Sequence, residues 1–214
     1  MNNRHQVHNL IILDESGSME SIKSTIINGF NELVQTVKGI EKEFPEQEHL
    51  ISLISFNSFG QKIHHFMDPV SKLQTIDSAR YHPDASTPLY DAMGYSLSKL
   101  RLALEGKSDY NVLVTILTDG EENASKEYTG RIVQKMIDEL KLNRWTFTYI
   151  GADHDVEKFA ASLSITNTIR FQKSDEDISQ MFVKEQSARS AYSSKIRANE
   201  STMDDFYENE KKVK

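Results

Sequence analysis

Short, unbroken apolar runs alternate along this chain with stretches whose apolar residues recur every three or four positions. Leu10-Ile11-Ile12-Leu13 is one such run, stopped by Asp14. A run without polar interruption suits a strand buried on both faces, as in a parallel sheet. Downstream, Ile22, Ile26, Phe30, Leu33, Val34, Val37 and Ile40 predict an amphipathic helix over 19–42, with Pro45 past its end. Residues 50–56 read as a second strand. The turn Asn57-Ser58-Phe59-Gly60 and a third strand over 61–67 complete a hairpin.

A polar stretch, 68–86, leads to Thr87-Pro88, which predicts a helix start with Pro at the first helical position and Thr before it. Leu89, Met93, Leu97, Leu100 and Leu104 form its core face. Residues 112–117 are a second solid run, stopped by Thr118-Asp119-Gly120. A helix over 126–142, carrying Ile132, Val133, Met136, Ile137 and Leu140, precedes a strand over 145–150. A short helix at 156–163, a last strand at 168–171 and a helix over 175–196 follow. The last helix turns Ile178, Met181, Phe182, Ala188, Ala191 and Tyr192 inward.

This alternation predicts an α/β fold: a doubly wound, Rossmann-like, mostly parallel sheet of about six strands, with helices on both faces. The 61–67 strand is its one antiparallel edge. Residues 1–172 form the α/β domain and 173–197 a C-terminal helix packed on it. Residues 198–214 are an acidic and basic tail, read as a frayed end, with Lys211, Lys212 and Lys214 solvated.

Composition narrows the function. The 214 residues carry 25 Lys and Arg against 32 Asp and Glu, a net charge of −7. That balance argues against a nucleic-acid partner and against anionic lipid. There is no cysteine, which excludes thiol chemistry, a disulfide framework and Cys-ligated zinc, and suits a reducing compartment. The N-terminal MNNRHQV lacks the apolar core of a secretory signal, and no run approaches the roughly 20 residues of a membrane span. The expectation is a soluble cytoplasmic protein, unless a leader has been trimmed from it.

In doubly wound sheets the ligand site lies beyond the carboxyl ends of the strands, where the strand order reverses. The first strand ends in Asp14-Glu15-Ser16-Gly17-Ser18, the 112–117 strand in Thr118-Asp119-Gly120, and Ser86-Thr87 lies in a third loop. These loops converge in the predicted topology. They offer two carboxylates, Asp14 and Asp119, and three hydroxyls, Ser16, Ser18 and Thr87. Oxygen donors of this kind select a hard divalent cation, Mg²⁺, Ca²⁺ or Mn²⁺. With so few carboxylates the ion keeps a positive field and draws a further anionic oxygen from water or from a partner's Asp or Glu.

Each residue also has an ordinary reading. Ser16 and Ser18 taken singly are helix caps, as is Thr87, and Asp119 before Gly is a turn residue. Adjacent His64 and His65 point to opposite faces of a strand and do not share a metal. In Asp153-His154-Asp155, Asp155 reads as a helix cap, and Trp145 reads as core.

The stretches IILDESGSM, STPLYDA and ILTDGEEN, in that order, resemble the metal-ion-dependent adhesion site of the von Willebrand factor type A (VWA) domain family, over about residues 7–172. YIGADHD and the C-terminal helix are further similar to small stand-alone bacterial members. The resemblance implies that Ser16, Ser18 and, with ligand engaged, Thr87 contact one cation, Mg²⁺ first. It implies that Asp14 and Asp119 act directly or through water, and that a partner's carboxylate takes the sixth position. Glu121 and Glu122 would modulate the local field. It implies a non-enzymatic adaptor, working in some cases with AAA-type ATPase assemblies.

The competing class is an enzyme. Asp14 after the first strand also resembles the nucleophile of haloacid-dehalogenase-type, Mg²⁺-dependent phosphatases, but position 16 is Ser, so the general acid is missing, and no Lys is placed to hold a phosphate. No GxGxxG, Walker loop or Gly-x-Ser-x-Gly elbow follows any strand.

Overall fold

The computed structural model describes residues 4–152, 154–203 and 205–207. Six strands, β1 (His5–Asp14), β2 (Gln47–Asn57), β3 (Gly60–Pro69), β4 (Tyr110–Thr118), β5 (Trp145–Gly151) and β6 (Asn167–Arg170), form one sheet. Their order is β3-β2-β1-β4-β5-β6, with β3 antiparallel and every other neighbouring pair parallel. The strand order reverses between β1 and β4, which lie side by side, as the alternation of elements predicted.

The solid runs are solid because both faces are covered. Leu10 and Ile12 enter the core beneath α2 (Leu89–Ala103) and α3 (Gly130–Lys141), while Ile11 and Leu13 face α1 (Lys23–Glu43) and α5 (Asp175–Arg197). On β4, Val112, Val114 and Ile116 take the first side and Leu117 the second. A short α4 (Val156–Ser162) sits by β5 and β6. Asp155 caps α4, accepting from Lys158 N at 3.2 Å, and Trp145 is core at 1 % exposure. Asp153 lies outside the described residues.

The α1–α5 contact is close because of Gly29. A β-carbon there would lie 2.0 Å from the Phe182 ring, so only glycine lets the two helices meet at this point. Deeper under α5, Arg189 is bound to Glu185, Thr115 and Asn9, all buried.

Helix starts depart from the sequence pattern for identifiable reasons. The first is preceded by a 3-10 turn, Gly17–Ile22, and becomes α-helical only at Lys23. The third begins at Gly130 rather than 126, because Asp91 takes the N–H groups of Lys126, Glu127 and Tyr128 and holds them in a loop. Ile132 is therefore not inward; it is 45 % exposed. The second begins at Leu89, with Pro88 one position before the first helical residue instead of on it.

Described residues of the segment read as a frayed end are packed against the domain. Thr202 and Phe206 are buried, and Tyr207 Oη donates to Glu185 at 2.6 Å. The tail has an apolar seat, formed with Val7, Leu113, Ala188 and Tyr192. Lys211, Lys212 and Lys214 lie outside the described residues. Among the described residues no helix is long and apolar enough to cross a membrane.

Candidate functional site

Asp14 ends β1 fully buried, at 0 % exposure. Its Oδ1 accepts from Ser16 N at 2.7 Å and its Oδ2 from Thr118 Oγ1 at 2.6 Å. Two hydroxyls continue the line: Ser16 Oγ and Ser18 Oγ lie 3.2 Å apart, and Ser18 Oγ donates to Asp119 Oδ1 at 2.6 Å. The ordinary cap role of Ser16 is not realised, since it precedes the 3-10 turn without a side-chain hydrogen bond to it. Thr87 does not cap α2 either.

Thr87 enters from the third loop. Asn123 clamps it from both sides, accepting from Thr87 N at 2.9 Å and donating its own N–H to Thr87 O at 3.1 Å. A β-carbon on Gly120 would lie 3.7 Å from Thr87 Oγ1 and 3.9 Å from Ser18 Oγ, so both hydroxyls flank that glycine. The fold thus brings Asp14, Ser16, Ser18, Thr87 and Asp119 to one place at the carboxyl ends of β1 and β4.

A second set of residues holds the loops in register. Tyr81 Oη donates to Asp14 O at 2.6 Å, and Gly17 N to Ala85 O at 3.0 Å, with Ala85 in the left-handed region at φ 64°. Glu15 is buried and accepts from Ser55 Oγ, from His82 N at 2.5 Å and from Lys62 Nζ at 3.3 Å. Glu122 accepts from Tyr90 N, Ala124 N, Ser125 N and Ser125 Oγ, so it caps the first turn of α2 from outside and is spent on structure. His64 bonds Ser55 and His65 bonds Asp68, so the two do not share a partner.

The electrostatics follow from burial. Removal from water pushes the Asp14 carboxyl up to about 6, against hydrogen bonds from Thr118 and Ser16 that pull it down; the charge of Asp119 adds to the rise. Asp119 Oδ2 is buried with no hydrogen-bond partner, and Lys173 Nζ lies 2.9 Å from it as an ion pair. Two buried carboxylates beside the hydroxyls of Ser16, Ser18 and Thr87 form an oxygen-only set that a hard cation fits. Among the described residues there is no cluster of three or more His, Asp and Glu that would hold a metal, so any ion here must lean on hydroxyl oxygens.

Five contributors escaped the sequence, Glu15, Tyr81, Asp91, Asn123 and Lys173, and Glu122, read there only as a modulator of the local field, holds backbone amides instead. Lys173 alone had a usable signal. It follows the last strand, so it lies at the carboxyl edge of the sheet, the same edge as the two aspartates.

The model of the von Willebrand factor type A domain matches residues 10–186. No curated protein matches the chain. Among solved structures, the SpRpn10 VWA domain is similar at TM-score 0.54 and 12% identity, over 83% of this chain and 94% of that one. The pilus adhesin SpaC from Lactobacillus rhamnosus GG, in an open conformation, is similar at TM-score 0.59 and 12% identity, over 86% of this chain. Proximal thread matrix protein 1 from the mussel byssus follows at TM-score 0.55 and 13% identity, also over 86% of this chain. The chain spans 46% of the mussel protein and 30% of the adhesin. VWA domains commonly mediate protein–protein interactions and are generally not enzymes. With its six-stranded sheet and its matched residues, this chain belongs to the von Willebrand factor type A domain family.

Proposed function

We propose that this protein is a divalent-cation-dependent interaction module. Ser16, Ser18 and Thr87 would hold the ion through hydroxyl oxygens, and Asp14 and Asp119 directly or through water. Mg²⁺ is the first choice, with Ca²⁺ and Mn²⁺ as chemical equivalents, since oxygen ligands suit all three. The ion supplies a positive centre that takes an Asp or Glu carboxylate from a partner protein. In this reading the chain is a stand-alone bacterial adaptor in the cytoplasm, and AAA-type ATPase assemblies are among its partners.

The observation that carries the proposal is the juxtaposition of two buried carboxylates with serine and threonine hydroxyls not spent on capping. A phosphatase needs Asp14 presented as a nucleophile with an acid two residues on. Here both Asp14 oxygens already accept hydrogen bonds, and position 16 is a hydroxyl aimed at Ser18. Lys173 supplies a cation beside Asp119, but that does not restore the missing acid.

The test is a Mn²⁺ titration of EDTA-stripped protein, read by water-proton relaxation, beside Asp14→Ala. One saturable site in the wild type, lost in the variant, is expected. Affinity capture with and without EDTA then asks whether partners need the ion. A wild type that binds no Mn²⁺, or partners retained equally in EDTA, overturns the reading.

A further inference from the structure

Lys173 sits between β6 and α5, and its ammonium reaches the one aspartate oxygen at the site that lacks a hydrogen bond. The Nζ–Oδ2 separation is 2.9 Å, with the Asp119 side chain fully buried and that of Lys173 only 25 % exposed. The other oxygen, Oδ1, already takes the Ser18 hydroxyl at 2.6 Å. Both oxygens of Asp119 are thus engaged, one by a hydroxyl and one by a cation.

The segment bearing Lys173 is fixed on both sides. Phe171 N donates to Gly151 O at 2.9 Å, and Ser174 N to Gln172 O at 2.8 Å. Ser174 Oγ caps α5 through Asp177 N at 3.2 Å, and Asp177 in turn accepts from Gln172 N. The backbone that carries Lys173 is thus anchored beside Asp119, and its side chain closes the remaining distance as an ion pair.

We propose that Lys173 is a tethered cation that occupies Asp119 and competes with the divalent ion, so that the ion loads weakly onto the isolated protein. This rests on the cation reading above. A metal entering between Asp14, Ser18 and Asp119 meets a unit positive charge already paired with one of its two carboxylates. Loading requires Lys173 to leave Oδ2, or to stay and repel the ion. Either way the affinity of the site is set by a residue that is not itself a ligand. Removing a unit charge a few ångströms from a divalent ion changes affinity on the order of tenfold, even with water-like screening.

The experiment compares wild type, Lys173→Met, Lys173→Arg, Asp14→Ala and the double variant Lys173→Met/Asp14→Ala in Mn²⁺ titrations of EDTA-stripped protein. Circular dichroism and thermal melts monitor the fold. The expected result is Mn²⁺ binding about tenfold tighter in Lys173→Met, near wild type in Lys173→Arg, and absent in both Asp14→Ala proteins. Equal or weaker binding in a folded Lys173→Met protein, with the Asp14-dependent site still present, overturns the competition while leaving the metal site standing. No saturable site in wild type or in Lys173→Met overturns both readings.

Discussion

Thr118 Oγ1 donates to Asp14 Oδ2 at 2.6 Å, tying the end of β4 to the end of β1 where the strand order reverses. Both residues are fully buried. Thr118→Val keeps the shape of the side chain and leaves a buried carboxylate oxygen without its donor. The loss expected in urea unfolding is about 2 kcal/mol, the usual cost of a hydrogen bond to a charged group. Thr118→Ser keeps the hydroxyl and should stay near wild type. If valine and serine lose equally, packing and not the hydrogen bond holds this corner.

Asp14 itself should separate stability from ion binding. Its folded pKa lies near 6, above the ordinary 3.8. A group raised in this way contributes stability that is full below the unfolded value and lost as pH rises through the folded one. At pH 7.5 the metal-free wild type therefore carries an ionised, desolvated carboxylate that Asp14→Asn does not. The variant is expected to be at least as stable as wild type there in EDTA, and to lose that advantage below about pH 4. Mn²⁺ at a hundred times its Kd should stabilise wild type by about 2.7 kcal/mol and leave Asp14→Asn unmoved. Equal stabilisation of the two proteins would remove Asp14 from the site.

The sheet was legible because Leu10–Leu13 and the Val112–Leu117 run are apolar on both faces, and only a strand between two helix layers needs that. The five converging residues were legible for a related reason: they follow those runs directly, and the strand ends fix where they go. What stayed hidden is made of long-range pairings. Nothing in Asp119-Gly120-Glu121-Glu122 says that the second glutamate turns back to the α2 amides. Nothing near Asp91 says that it holds a loop 35 residues downstream and delays α3. Phe206 looked like part of a charged tail because its apolar seat is assembled from β1, β4 and α5, far away in sequence.

That seat can be measured. Phe206 is 4 % exposed, its ring 5.8 Å from that of Tyr192 and 4.8 Å from that of Tyr207. Its N–H donates to Asn167 Oδ1 at 3.0 Å. Phe206→Ala should cost about 3–5 kcal/mol in urea unfolding, the range for emptying an aromatic site. A change within about 0.5 kcal/mol, as surface positions give, would mean that the tail is loose.

Two buried histidines set the acid limit of the fold. His8 and His49 are each 2 % exposed, and neither ring has a hydrogen-bond partner. Burial, helped by the charges of Lys107 and His5, holds His8 down at about 4. Burial, helped by Arg189, Arg4 and His5, holds His49 at about 3. Both lie below the ordinary 6.5, so the unfolded chain takes up protons first as pH falls. Stability is full above pH 6.5 and drains at about 1.4 kcal/mol per pH unit for each histidine until its folded value is reached. His64, lowered to about 4 mainly by burial, adds in the same direction. Asp14 acts oppositely between about 6 and 3.8, so one carboxyl opposes three histidines. Urea midpoints in EDTA should fall steeply from pH 6.5 to 4.5 in wild type. The His8→Leu/His49→Leu protein should stay nearly flat between about pH 6 and 4.5, where the shares of His64 and Asp14 cancel. Parallel slopes in the two proteins would show that the acid limit lies in other groups.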